Sequence, residues 1–139
     1  FFIFFSPFGD FFSFPQIFAE SLSQASGVLT CITDMEKVIA ASGAGKKDVA
    51  DQEISEEFVG LLEERRMVQK GVREKGMVPL LKYKNLDYLE SLVCPVLTGG
   101  DVIGAVVFLW QEEEKGASKE ICQKLAQCAA TFLGSQMEA

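Results

Sequence analysis

The sequence predicts an α+β fold, an antiparallel sheet with an N-terminal and a C-terminal helix packed on one of its faces. Three observations carry this. Two apolar runs, residues 92–97 and 102–109, meet at Gly99-Gly100, a pair suited to the positive φ angles of tight hairpin turns. Two further β-prone runs, 28–33 and 38–42, flank the polar stretch 34–37 and read as a second hairpin. Segments with helical spacing of apolar residues stand at both ends of the 139-residue chain. Strands joined by hairpins rather than regular crossovers pair antiparallel.

The first helix starts at Pro15, which suits a first turn, with Ser13 as a cap before it. Phe14, Phe18, Leu22 and Ala25 recur at helical spacing, and Gly27 ends the element. After the first hairpin and the loop opened by Gly43-Ala44-Gly45, "ISEEFVGLLEERR" at 54–66 predicts a second helix. Ser55 caps it, and Ile54 faces Val59 as a hydrophobic staple. Glu56 and Glu57 in the first turn, with Arg65 and Arg66 in the last, match the helix dipole. Ile54, Phe58, Leu61 and Leu62 form its apolar stripe.

From 67 to 87 the basic residues alternate with Val68, Val72, Val78, Leu80 and Leu81 without one period, which reads as a short strand and a long mobile loop. In the hairpin that follows, Pro95 has no N–H to donate and belongs at a bulge or an edge position. "EEEKGASKE" at 112–120 is a solvated connector. The last helix begins at about Ser118 and places Ile121, Leu125, Cys128, Phe132 and Leu133 on one face.

Composition narrows the function. Hydrophobic content of 48% and charged content of 24% fit one globular domain. A net charge of −7 opposes any grip on a phosphate backbone. The four cysteines show no C-x-x-C spacing and there is no histidine, so neither a metal site nor a cofactor is expected. They read as reduced, mostly buried thiols of a cytoplasmic protein. Without histidine, no Ser-His-Asp or Cys-His arrangement exists, and a non-enzyme is expected; carboxylate or lysine chemistry stays open. The apolar start "FFIFFSPFGDFF" lacks the positive flank of a signal peptide. Ser6-Pro7, Gly9-Asp10 and Ser13 interrupt it well short of the ~20 apolar residues of a membrane span.

"CPVLTGGDVIGAVVFL" at 94–109 resembles the terminal hairpin of GAF domains: a Pro-containing strand, a Gly turn, then Ile-Gly and an apolar strand. "EKVIAASGAGKKD" at 36–48 resembles the segment after the first strand in the C-terminal domain of the stage V sporulation protein T family of AbrB-type transcription regulators. "AATFLGSQME" at 129–138 is similar to that family's closing helix, and the resemblance runs from about Ser6 to Ala139.

It implies a GAF/PAS-like sensor domain over 15–139 and a connector stub over 1–14, following an absent AbrB-like DNA-binding domain. "FSPFGDFFSFPQIFAESL" at 5–22 falls in register with the family's connector. That connector is rich in charge, whereas nine of the twelve phenylalanines here lie in the first 18 positions. The resemblance further implies a non-catalytic, ligand-sensing and dimerising part of a sporulation regulator, reaching DNA only through the absent domain.

The candidate ligand loop is Ser42, Gly43, Ala44, Gly45 and Lys46. "SGAGKKD" is not a Walker A loop, because Ala40 stands for its first glycine and Lys47 for its Ser/Thr. Two readings remain: a flexible turn leaving the second strand, or a loop whose N–H groups and Lys46 or Lys47 meet an anionic part of an unknown small molecule. Tyr83, Tyr88 and Trp110 either line a pocket or cover the sheet edge.

Cys31 and Cys94 in strands, with Cys122 and Cys128 in one helix, read as buried structural thiols. The enzymatic rival is a small GAF-fold enzyme of the methionine-sulfoxide reductase kind, using cysteine. "NLDYLE" at 85–90 does not reproduce the N-K-x-F-D-E motif of cyclic-nucleotide GAF domains. Phe14, Phe18 and Leu22, with Leu125, Phe132 and Leu133, offer more apolar face than one small sheet covers. They are the expected interface of a homodimer or a higher oligomer. A ligand-free dimerisation module is a third reading, which a collapsed pocket favours.

Overall fold

The computed structural model describes residues 14–71, 77–113 and 116–136. Helix α1 spans Phe14–Ser26 and stops at Gly27, whose φ of 75° lets its N–H return to the Ser23 carbonyl at 2.8 Å. Strands β1 (Leu29–Thr33) and β2 (Val38–Ser42) form the first hairpin. Asp34 turns it: its Oδ1 accepts from the N–H groups of Glu36 (2.7 Å) and Lys37 (2.8 Å). A short 3-10 turn covers Lys46–Asp48, followed by α2 (Glu56–Leu62) and β3 (Val68–Gly71). The second hairpin joins β4 (Glu90–Thr98) to β5 (Asp101–Trp110), and α3 (Lys119–Gln136) closes the described chain. Gly99 and Gly100, at φ 57° and 87°, make the turn of this hairpin.

The five strands form one antiparallel sheet in the order β2-β1-β5-β4-β3. Both faces are covered, which is why β4 and β5 read as almost unbroken apolar runs. Leu92, Cys94, Val96, Val106, Phe108 and Trp110 point under α1 and α3; Val93, Ala105, Val107 and Leu109 point to the opposite face, beneath α2 and the segment from 77 to 89. Pro95 pairs with Ala105 on β5, while β3 stops pairing at Val93, so the proline lies where β4 is an edge, next to the register shift at Val96/Leu97. At the other margin the Gln16 amide bonds the N–H (3.3 Å) and C=O (2.9 Å) of Ala41, covering part of the β2 edge.

Several expectations need correction. The buried line of α1 is Pro15, Ala19, Leu22 and Ser26, and that of α3 is Cys122, Ala126, Ala129, Ala130, Leu133 and Gly134. Ala25, Ile121, Cys128 and Phe132 are exposed instead. Small side chains let both helices lie close on the sheet, and large ones are turned to the flanks. At Gly134 the fit is so close that any Cβ collides with the Leu97 carbonyl. Helix α2 has the predicted cap, Phe58 N–H to Ser55 Oγ at 3.0 Å, but it ends at Leu62. Arg65, at φ 57°, lies beyond it and its Nε donates to the Gly100 carbonyl at 3.0 Å. Segment 77–89 is tied down rather than loose: Ser55 N–H reaches Leu80 O and Lys82 N–H reaches Glu53 O, both at 2.9 Å, around an Ile54–Leu81 bridge. The cap assigned to Ser13 and the connector before it lie outside the described residues.

Candidate functional site

Two regions of the described residues are candidate sites. The first is the face of the sheet under α2 and segment 77–89. A small space of about 10 Å³ remains there among Phe58, Val68, Leu80, Tyr88, Val93 and Val107, room for one water at most. Beside it lies an open cavity of about 220 Å³, bordered by Leu29, Gly45, Asp48, Lys84, Asp87 and Gln111. The Lys84 ammonium and the Asp48 carboxylate face each other at 3.6 Å on its rim.

The five candidate loop residues divide. Ser42 pairs with Thr30 in the sheet. Gly43 is held against α1, where a Cβ would come within 2.9 Å of Ser23 Oγ. Ala44 and Lys46 face solvent. Gly45, at φ 91° against the Gln111 side chain, borders the open cavity. The three aromatics part company as well: Tyr88 lines the cavities, Trp110 is buried beneath the helices against Phe108, and Tyr83 is 73% exposed with Lys82 over its ring.

The second region is the outer surface of the helical layer. The Phe132 ring stacks on Phe14 (5.9 Å) and Phe18 (5.5 Å). Gly27, at the other end of α1, lies against Gly116 just before α3. The two helices therefore run side by side and antiparallel. Ile17 (48% exposed), Ile121 (51%) and Phe132 (41%) leave an apolar surface along them, with Cys128 exposed on α3. Of the six expected interface residues, Leu22 and Leu133 belong to the chain's own core; Phe14, Phe18 and Leu125 are half-buried beside it.

Three of the four thiols are buried and one, Cys128, is exposed. Burial pushes Cys31 up to about 12 and Cys94 up to about 11, and it raises Cys122. Cys31 and Cys94 lie in the cores on opposite faces of the sheet, so they cannot pair. Cys128 departs from the expectation of burial. No described helix is long and apolar enough to cross a membrane.

Sequence reasoning missed a polar chain that joins the sheet to α3. Gln69 Nε2 donates to Glu90, Gln123 Nε2 donates to Gln69 Oε1, and Lys119 pairs with Glu90 at 3.0 Å. These residues come from three elements and share no motif.

A family model described as stage V sporulation protein T C-terminal, transcription factor, matches residues 10–138. The chain belongs to this family. Stage V sporulation protein T of Bacillus subtilis (strain 168) is 31% identical over 134 residues, covering 96% of this chain and 72% of the relative. Among solved structures, the GAF domain of Acinetobacter phosphoenolpyruvate-protein phosphotransferase has a TM-score of 0.68 at 13% identity, covering 88% of this chain and 79% of that one. The cofactor-binding GAF domain of the nutrient sensor CodY from Clostridium difficile scores 0.65 at 16%, covering 91% and 85%. Free methionine-R-sulfoxide reductase from Thermoplasma acidophilum scores 0.65 at 13%, covering 88% of each chain. These likenesses establish the GAF fold.

Proposed function

We propose that the chain is the non-catalytic sensing and dimerisation domain of a cytoplasmic sporulation transcription regulator, and that contact with DNA belongs to a domain outside this sequence. The observation that carries it is the phenylalanine stack Phe14–Phe18–Phe132 on the open side of the helical layer. Exposed Ile17, Ile121 and Phe132 beside this stack on two antiparallel helices give a surface that a second copy covers in a four-helix arrangement. Phe14, Phe18, Leu125 and Phe132 form the seam. A small molecule enters from the opposite face, through the cavity bordered by Gly45. The absence of histidine and the burial that raises the Cys31 and Cys94 thiols argue against an enzyme using either of those cysteines.

Sedimentation tests the pairing. The wild-type domain is expected to be dimeric at micromolar concentration, and Phe132→Glu monomeric with its sheet intact. A wild-type monomer, or an unaffected Phe132→Glu dimer, would sink the idea. The small size of the space of about 10 Å³ between the sheet and Tyr88 favours a second reading, a ligand-free dimerisation module. Mass spectrometry of small molecules released from the purified domain separates the two: a stoichiometric compound supports sensing.

A further inference from the structure

We infer that the groove between α3 and the connection from α2 to β3 binds a small carboxylate with an apolar body, and that Arg65 anchors it. The groove lies beside α3, away from the cavity bordered by Gly45, and the inference goes beyond the sensing reading. β3 pairs with β4 only from Glu90 to Val93, so the margin of β4 from Cys94 to Thr98 faces no strand. Along that margin lies a cavity of about 420 Å³, the size of a small-molecule site. Met67, Pro95 and Leu97 give it an apolar base, on which Leu97 is 39% exposed. Gln127, Thr131 and Ser135 stand four residues apart in one line on α3 and form a polar wall about 12 Å long.

Arg65 supplies the only charge among the residues that line this cavity. Its backbone is left-handed, at φ 57°, a conformation that glycine or asparagine adopts at lower cost. The side chain is nonetheless fixed: Nε donates to the Gly100 carbonyl at 3.0 Å and Nη1 to the Glu63 carbonyl at 3.2 Å. Both partners are backbone carbonyls, so the guanidinium is oriented without being neutralised. Among the described residues no carboxylate pairs with it, and Glu64 is engaged by Arg66 at 2.8 Å. Nη2 has no partner among them either. A backbone strained at an arginine, which holds an unpaired cation on a cavity wall, marks that arginine as a ligand contact. An incoming carboxylate meets this guanidinium, the Thr131 hydroxyl donates to it, and the apolar body lies over Met67, Pro95 and Leu97. Thr131 is next to Phe132 in α3, so an occupant bears directly on the helix of the proposed seam.

4-Methylpentanoate is the probe, and its amide, of the same shape without the charge, is the control. Methyl NMR of the whole domain should show the acid shifting Met67, Leu97 and Ala130 with a Kd of about 1 mM, and the amide binding about tenfold more weakly. Arg65→Gly suits the left-handed backbone, so it should stay folded and bind the acid about tenfold more weakly. Arg65→Lys, which keeps the charge and loses the fork, should weaken binding about threefold, as should Thr131→Val, which loses only the hydroxyl. Equal binding of acid and amide overturns the proposal, as do shifts confined to Val107 and Leu109 on the opposite face of the sheet. An unchanged affinity in a folded Arg65→Gly overturns it too. If Arg65→Gly does not fold, unchanged affinities in Arg65→Lys and Thr131→Val overturn it equally. No shift at Met67 or Leu97 with the acid at about ten times the expected Kd removes the site altogether.

Discussion

Phe18 and Phe132, from opposite ends of the chain, stack with ring centroids 5.5 Å apart and planes 10° from parallel. Their contact joins α1 to α3 and leaves the Phe132 ring 41% exposed. Cys128 is one helical turn away on the same exposed line. In a dimer built on this strip, a short bis-maleimide should link Cys128 to Cys128 of a second copy. Phe132→Glu should remove the band on a denaturing gel. Linking through Cys31, Cys94 or Cys122 in the native protein would contradict the placement.

The thiol of Cys31 gives stability a dependence on alkaline pH. Its value is raised from 9.0 to about 12 by burial, so the folded state keeps the proton that the unfolded state releases. The contribution is complete below pH 9 and is lost as pH rises from there towards 12, at no more than about 1.4 kcal/mol per pH unit. Denaturant midpoints should fall between pH 9 and 11 in the wild type and fall less steeply in Cys31→Ala. Cys31→Ser should cost about 1–3 kcal/mol at neutral pH, and Cys128→Ser close to nothing.

Two helical glycines should respond to alanine with opposite signs. Gly60 in α2 has nothing within 4 Å of an added Cβ, so Gly60→Ala should stabilise by about 0.5–1 kcal/mol. At Gly134 the same change meets the Leu97 carbonyl, and Thr98 Oγ1 already donates to the Gly134 carbonyl at 2.6 Å. Gly134→Ala should lose about 1–3 kcal/mol despite the better helix propensity. Thermal melts of the two variants decide it; a Gly134→Ala melting above wild type would show that α3 does not lie this close.

Net charge of −7 predicts that the domain alone leaves duplex DNA unshifted in a gel at physiological salt. A complex that weakens with added salt would contradict this.

The hairpins were readable because their signals are local. Gly99-Gly100 and the apolar runs beside it lie within one stretch, and the Ser55 cap is three residues from its partner Phe58. Helix faces were harder. Phe14, Phe18 and Ile121 are more hydrophobic than Ala19, Ala126 and Ala129, yet closeness to the sheet selects for small size, and hydrophobicity does not encode that. Dipole complementarity predicts that α2 runs on to Arg65, whereas the left-handed backbone there and its bond to Gly100 arise from tertiary contact. Most of the candidate site is of that kind. Gly45 was recognisable as a turn residue, but Lys84, Asp87 and Gln111 join it only through the fold, as do Gln69, Glu90 and Gln123.

The contact between Gly27 and Gly116 has a mechanical consequence. A Cβ on Gly27 would stand 2.9 Å from Gly116 Cα, one on Gly116 would strike the Ser26 carbonyl, and Ala117 N–H already bonds that carbonyl at 2.8 Å. The last turn of α1 is therefore pinned to the approach of α3, and any change in the angle between the two helices is a rotation about that pin. With 13 residues in α1, a lever of about 20 Å, a 5° tilt moves the Phe14 end by about 1.7 Å while the Ser26 end stays in place. Displacement thus grows steadily towards Phe14, where the ring contacts with Phe132 must slip or break first.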